Sequence, residues 1–398
     1  MRRLRFVLPF ATAAIALAVV AAASARPSHT TAAAASQAIS CKSKITLPFV
    51  TPVTGGAGFI GQEQVTWAKY AVKALAKTFG LNVSLVVGDT PVEQGPAPAQ
   101  SLAQKYVGDK SVVAILGPST SGAVAASSAT YQASGLAHVS SSATRTSLTK
   151  GPAGSLEARP SFFRVVPGDY VQGPSDARFM IEKLKAKKVV IFDFQEPYSL
   201  GLADAAESVL KKGGVTTIRL SAPNTTTDYS SYVTRVPGDT DIVFFPTQKP
   251  GDAQTFATQL IEQGKKAKVF GGDGSNNPAQ FKTAGAYVSN FAPDITGIPA
   301  DKALLAGWQK DNPGKTVGSF GPPTYGAVQM IFSAIKLACN AGHGSIERRD
   351  VIRNMKKVRI NNWILGGQFR WSTKSNDPLN ATFYIFQIQP NGKYKLVG

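Results

Sequence analysis

Three histidines, His29, His138 and His343, are all the imidazole that this 398-residue chain contains. His29 lies in a spacer-like stretch, His138 inside the apolar run GLAHVSS, and His343 just after a helix-like run, so none stands where proton-transfer chemistry needs it. A metal site needs several clustered ligands, and the sequence offers no such cluster. No G-x-S-x-G elbow appears. An exported serine hydrolase would need a histidine near its serine loop, so the scarcity argues against that class and against catalytic residues, metal or cofactor in general. Acids are also few, 24 against 43 Lys and Arg, for a formal charge of +19. The densest basic clusters, KLKAKK and RNMKKVR, sit beside apolar positions at helical or strand spacing. They read as solvated faces rather than a nucleic-acid footprint, with unspecific attraction to an anionic surface as the alternative.

Long apolar runs are confined to the amino terminus, where MRRLR precedes FVLPFATAAIALAVVAAASA, broken by Pro9 and ending in Ala23-x-Ala25. Basic, apolar and small-residue regions in that order predict a secretory signal peptide over residues 1–25 rather than a membrane anchor. Cleavage removes Arg2, Arg3 and Arg5 and no acid, taking the charge from +19 to +16. Residues 26–40, rich in Ala, Ser and Thr, read as a disordered spacer. Cys41 is too far from the apolar stretch for a lipoprotein, so a soluble exported protein is expected. The only two cysteines then point to a disulfide between Cys41 and Cys339. One opens the first strand and the other closes a helix antiparallel to it, which brings both to the strand-start edge.

From Cys41 onward the pattern is strand, loop, helix throughout. VSLVVGD, VVAILG, KVVIFDF, TDIVFFP and KVFGGD read as parallel strands buried on both faces, while SLAQKYV, ARFMIEKL, GLADAAESVLKKG and AQTFATQLIEQG read as crossover helices. This predicts an α/β fold of two doubly wound lobes, with function in the loops at the strand carboxyl ends. One such loop, PVTGGAGFIG, contains G-x-G-x-x-G at Gly56, Gly58 and Gly61. A nucleotide reading is disfavoured because four residues separate strand and motif, and Asp89 lies well beyond the spacing of about 20 expected for the ribose acid. A glycine turn that lets backbone approach another group fits better. GPSTSG and SSSATRTS each follow a buried strand and open a helix. Their N–H and hydroxyl groups either receive a carboxylate or merely cap the helices.

In this order, PVTGGAGFIGQEQVTWAKYAV, VVAILGPSTSG, GLAHVSSSATRTSLT, FFRVVPGDYVQGP, YSLGLADAAESVLKKGG, FGGDG and PTYGAVQMIFSAI resemble the leucine/isoleucine/valine-binding family of extracytoplasmic solute receptors that feed ABC importers. The resemblance covers Lys44 to Val397 and implies the type I periplasmic binding fold: two Rossmann-like lobes joined by three crossovers and closing on a ligand. Lobe 1 is then expected from 41–166 and 298–367 and lobe 2 from 167–297 and 368–398, with hinges near Val166–Pro167, Ile295–Ile298 and Gly366–Phe369, where the pattern leaves one α/β layer and enters the other. The resemblance also implies that Ser121, Ser142 and Thr144 receive the α-carboxylate of an amino acid, that Tyr198 closes over it, and that Asp273 pairs with its α-ammonium. Asp273 stands where branched-chain amino-acid receptors usually carry Glu, and Gln248 where an aromatic residue is common. Gln248, Phe59, Ile60 and Tyr325 are the candidate side-chain pocket, the last three equally readable as core residues. The implied partners are a small-molecule ligand and a membrane permease, with the receptor a monomer; amides, urea, aromatic acids and a sensing role are the alternatives.

Overall fold

The computed structural model describes residues 38–150, 160–379 and 381–398, so the expected signal peptide and most of the spacer lie outside the described residues. The strands are β1 (Ile39–Ser40), β2 (Lys44–Thr51), β3 (Asn82–Asp89), β4 (Ala114–Leu116), β5 (Ala137–Ser140), β6 (Phe162–Arg164), β7 (Lys188–Asp193), β8 (Thr216–Ser221), β9 (Ile242–Phe245), β10 (Lys268–Gly271), β11 (Tyr287–Asn290), β12 (Ser345–Ile346), β13 (Tyr384–Ile388) and β14 (Tyr394–Leu396). The helices are α1 (Gly58–Phe79), α2 (Ala97–Gly108), α3 (Ser121–Ala133), α4 (Ser147–Lys150), α5 (Asp169–Glu182), α6 (Pro197–Lys212), α7 (Ser230–Thr234), α8 (Pro250–Glu262), α9 (Lys302–Asp311), α10 (Gly321–Ala341) and α11 (Arg348–Met355).

Two sheets form. The first is parallel, in the order β3-β2-β4-β5-β6; the second runs β14-β13-β11-β10-β9-β7-β8, with β13 and β14 antiparallel at one edge. Three-residue strands such as Ala114-Ile115-Leu116 hold their place because both faces are covered, and all three residues are buried. VSLVVGD differs from the expectation. It forms β3, an edge strand paired only with β2, and leaves Val86 and Val87 exposed. An apolar run does not distinguish an edge strand from a central one.

Helices α10 and α11 come late in the chain yet pack on α1, β4 and β5 of the first sheet. The chain therefore crosses between the sheets after β6, after β11 and before β13. Phe369 and Trp371 still belong to the core of the first layer, and Asp377 pairs with Arg164 at the end of β6. The third crossing thus falls between Asp377 and Tyr384, beyond the Gly366–Phe369 expected from the pattern. Both layers lie in one contact unit, Gln37–Gly398.

Two residues expected in the spacer are ordered: Ile39 and Ser40 pair antiparallel with Ile346 and Ser345. They are held there by the adjacent Cys41, which is bonded to Cys339 with Cα atoms 6.0 Å apart and a sequence separation of 298. The Cys41 N–H also donates to Gly344 O. Because the bridge closes so long a loop, its reduction or Cys339→Ser should cost about 2 to 5 kcal/mol of unfolding free energy. Denaturant midpoints with and without reductant measure this, and coincident midpoints would refute it.

Candidate functional site

Three loops of the first layer converge on one glutamine. Gln64 in α1 is fully buried. Its Oε1 accepts from Thr51 Oγ1 (2.8 Å) and Ser119 Oγ (2.7 Å), and its Nε2 donates to Ser141 Oγ (3.1 Å) and Ser142 Oγ (2.9 Å). Both lone pairs and both protons are used, tying the end of β2 to the loops after β4 and β5. The Ser142 hydroxyl passes its own proton to Ser119 O (2.6 Å), and Ser121 Oγ accepts from Arg145 N (3.2 Å). Of the three hydroxyls expected to receive a carboxylate, Ser121 and Ser142 are therefore engaged in holding the loops. The Thr144 hydroxyl is buried and turned instead toward Asp169 of the other layer. The Thr120 side chain caps α3, accepting from Ala123 N (3.3 Å), and the helix presents its positive end beside Thr144's loop.

The second layer supplies the acids. Glu196 caps α6 by accepting from Tyr198 N (2.9 Å) and Ser199 N (2.8 Å), which seats Tyr198 in the first turn. The Tyr198 hydroxyl donates to Asp273 Oδ1 (2.9 Å) and accepts from Gly274 N (3.1 Å). Asp273 is 2% exposed; burial pushes its carboxyl up to about 6, against the pull of hydrogen bonds from Gln172 and Tyr198. Asp169 opens α5 and is fully buried, with the Thr144 hydroxyl as its hydrogen-bonding neighbour. Burial raises it to about 7, the neighbouring Thr144 hydroxyl opposing this, Asp273 adding to it, and Arg164 and Arg145 opposing it from further off. The Asp169 N–H donates to Thr144 O (2.7 Å), so the acid is joined to the hydroxyl loop of the other layer. Across the same gap Arg145 Nη1 donates to Pro197 O (3.1 Å) and Asn224 Nδ2 to Val92 O (3.1 Å).

The structure thus brings Thr144, Tyr198 and Asp273 together, with Ser121 and Ser142 supporting the same loops. Ile60 is 2% exposed in an apolar cluster with Phe291, Phe320 and Phe383, against which Phe59 packs. Tyr325 is not brought to this group: its ring lies 6.1 Å from that of Tyr70, in the core shared by Trp67 and Trp308. Its neighbour Thr324 faces the loops instead, bonded to Ser141 Oγ (2.9 Å). Gln248 is buried beside Gly274, where an added Cβ would come within 2.9 Å of its Cα. A cavity of about 680 Å³ lies between Phe59, Thr66, Asn276, Ala292, Val317 and Phe386, yet none of Asp169, Tyr198 or Asp273 lines it. The charged groups converge elsewhere than the open volume.

Asp169 and Gln64 carried no role in the sequence reading. An acid opening a helix directly after a strand was the available signal for Asp169; nothing distinguished Gln64 from a surface glutamine. The glycine motif also receives its explanation. The turn's N–H groups are taken by the chain's own acids: Asp89 Oδ1 accepts from Val53 N (2.7 Å) and Glu93 Oε1 from Gly56 N (2.8 Å). Those carboxylates would repel a phosphate. A Cβ at Gly61 would sit 1.9 Å from Pro52 O, and one at Gly56 would meet the Lys249 side chain at 2.8 Å, so the glycines serve close approach. His138 is buried against Ser128 (2.8 Å), and burial lowers it to about 3, leaving it neutral and structural.

Two α/β layers linked by three crossings, with loops of both meeting over buried acids and helix N-termini, define a solute-binding receptor. The chain belongs to the periplasmic binding protein family, whose model matches residues 44–393. It is 28% identical over 304 residues to the Leu/Ile/Val-binding protein BraC3 of Rhizobium johnstonii, covering 75% of this chain and 80% of the relative. It is 23% identical over 355 residues to the leucine-specific-binding protein of Salmonella typhimurium, covering 87% and 92%. In fold it is similar to the leucine binding protein LivK of Thermotoga maritima (TM-score 0.78, 20% identity, 89% of this chain and 98% of that one). It is also similar to LivJ of Streptococcus pneumoniae in complex with isoleucine (TM-score 0.75, 23% identity, 89% and 99%). A solute binding protein of R. palustris in complex with benzoate shares the fold as well (TM-score 0.76, 15% identity, 89% and 96%). No helix among the described residues is long and apolar enough to cross a membrane.

The raised acids fix a pH dependence. An unfolded Asp ionises near 3.8, whereas Asp273 and Asp169 hold their protons to about 6 and 7 when folded. Between these limits the native state binds more protons than the unfolded one, so these two groups make stability fall as pH rises from about 4 to 7. Melting temperatures of wild type and of the Asp169→Asn/Asp273→Asn double variant across that window check it. A variant whose melting temperature declines as steeply as wild type would contradict the assignment.

Proposed function

We propose that this protein is an exported, soluble and monomeric receptor that captures an α-amino acid between two lobes and delivers it to the membrane permease of an ABC importer, with no catalysis. The observation that carries the reading is the facing of opposite demands. From one side come a helix N-terminus, backbone donors and the Thr144 hydroxyl; from the other come Asp169, buried beside that hydroxyl with no cation bonded to it among the described residues, and the Asp273–Tyr198 pair. A zwitterion satisfies both at once. It therefore binds the closed arrangement better than the open one, which is the requirement for ligand-driven closure. In this reading the carboxylate rests on the loops held by Ser121 and Ser142 and bonds to Thr144. The ammonium sits between Asp273 and Asp169, and the side chain extends towards Phe59, Ile60 and Gln248. Lobe 1 runs over 41–166 and from 298 to about Asp377, and lobe 2 over 167–297 and the remaining carboxyl-terminal strands. Removal of residues 1–25 leaves Arg26 as the first residue of the exported chain.

The names of the relatives favour leucine, isoleucine or valine as the ligand. The benzoate complex among the fold neighbours supports a second reading, an aromatic acid without an ammonium, in which the buried acids have no counterpart. Calorimetric titration with L-isoleucine and with benzoate separates the two. Asp273→Ala should weaken isoleucine by about 3 to 5 kcal/mol, because an ammonium buried without its anion is strongly disfavoured. That is about two to three and a half decades in Kd, and Asp273→Asn should recover part of it. An unchanged Kd in folded Asp273→Ala, or binding of benzoate alone, would overturn the amino-acid reading.

A further inference from the structure

Helix α5 carries more acid than one ammonium requires. Asp169, Gln172 and Asp176 follow one another at helical spacing on a single face, and all three are fully buried. A chain of hydrogen bonds runs behind Asp273: Gln172 Nε2 donates to Ser289 Oγ (2.9 Å), and Ser289 Oγ donates to Asp176 Oδ2 (3.0 Å). The Gln172 amide is also hydrogen-bonded to Asp273. Two oxygens of this assembly have no partner, Gln172 Oε1 and Asp176 Oδ1. Their residues stand at i and i+4, where helical side chains are neighbours. Two buried acceptors one helical turn apart on the same face repel if they approach, unless a hydrogen lies between them.

Only Asp176 can provide that hydrogen. The Gln172 amide protons are committed to Ser289 and Asp273, and the Ser289 proton to Asp176 Oδ2. The ionised neighbours bearing on Asp176 are Asp273, from the turn Asp273–Ser275, and Asp169, from its own helix, both of like charge. Strand β11 contributes Ser289, and α6, packed along α5, contributes Tyr198, whose proton goes to Asp273. No cation is among these groups.

We propose that Asp176 is a positioning residue for the ammonium site, held as the neutral acid so that its Oδ1–H donates to Gln172 Oε1 and locks the amide with its N–H groups towards Asp273 and Ser289. A flipped Gln172 would turn Oε1 against Asp273 and displace that carboxylate. The inference rests on the reading of Asp273 as the ammonium partner, and it leaves the cleft with two ionisable carboxylates for the ligand, not three. Burial, reinforced by Asp273 and Asp169, pushes the Asp176 carboxyl well above the ordinary range, in keeping with the neutral form.

An asparagine side chain can make the same donation, whereas alanine cannot. In calorimetric titrations with L-isoleucine, Asp176→Asn should bind within about threefold of wild type, and Asp176→Ala about tenfold more weakly, about 1.4 kcal/mol. Ligand-free wild type at about pH 8, above the range in which Asp273 and Asp169 titrate, should show an infrared carbonyl band of a protonated carboxyl that Asp176→Asn lacks. Equal weakening in the Asn and Ala variants would make Asp176 a charge rather than a positioning acid, and full affinity in Asp176→Ala would remove it from the site. Absence of the band would overturn the proposal without any ligand. Failure of isoleucine to bind wild type would instead fall on the amino-acid reading, with the infrared band still deciding the state of Asp176.

Discussion

A carboxylate withdrawn from water is stable only with a proton or a cation beside it, and the second layer is arranged around that constraint. Asp169 and Asp273 are buried without a lysine or arginine bonded to either, supported by a helix N-terminus, a tyrosine hydroxyl and an amide. A different solution stands close by. Arg164 and Asp377, both fully buried, meet through a direct ion pair at 2.6 Å. Although burial raises Asp377, Arg164 together with the Ser375 and Thr149 hydroxyls holds it below its ordinary value. One charge is matched by a cation of the chain, whereas Asp169 and Asp273 have none bonded to them among the described residues.

The two faces of the cleft divide the work. Gln64 uses its whole hydrogen-bonding capacity on loops of the first layer, and Arg164 Nη1 adds bonds to Ala143 O (3.2 Å) and Arg145 O (2.9 Å) in the loop that carries Thr144. Loops satisfied in this way have no local reason to rearrange, so their remaining donors are preorganised. The facing layer holds its acids buried without a matching cation among the described residues, so the two faces make opposite electrostatic demands.

Much of the architecture was legible because buried parallel strands leave an apolar signature that solvent-facing ones do not. KVVIFDF and TDIVFFP became central strands, whereas the equally apolar VSLVVGD became an edge, since adjacency in a sheet is set by crossovers far away in sequence. Tyr198 and Asp273, singled out through the resemblance, do meet in the structure, the tyrosine hydroxyl donating to the acid. Tyr325 was not, because one residue along α10 separates the face toward Ser141, occupied by Thr324, from the face toward Tyr70. Gln64 was hidden for a related reason: its importance lies in four partners from three loops, and no local pattern records that. The last crossing escaped the pattern because the segment from Phe369 to Asp377 packs on the first layer without regular strands to mark it.

The first layer is built from both ends of the chain. Its sheet is complete by Arg164, yet the helix that covers it, α10, starts only at Gly321, and the partner that neutralises Arg164 is 213 residues further on. During synthesis, the sheet that emerges first therefore waits for this part of its apolar cover. A chain stopped short of α10 exposes the β4 and β5 surface that α10 and α11 would bury, together with an arginine lacking its counterion. Such an intermediate has the sticky, long-range character that delays folding. The amino-terminal sheet thus depends for part of its cover, and for the counterion of Arg164, on the carboxyl-terminal part of the chain.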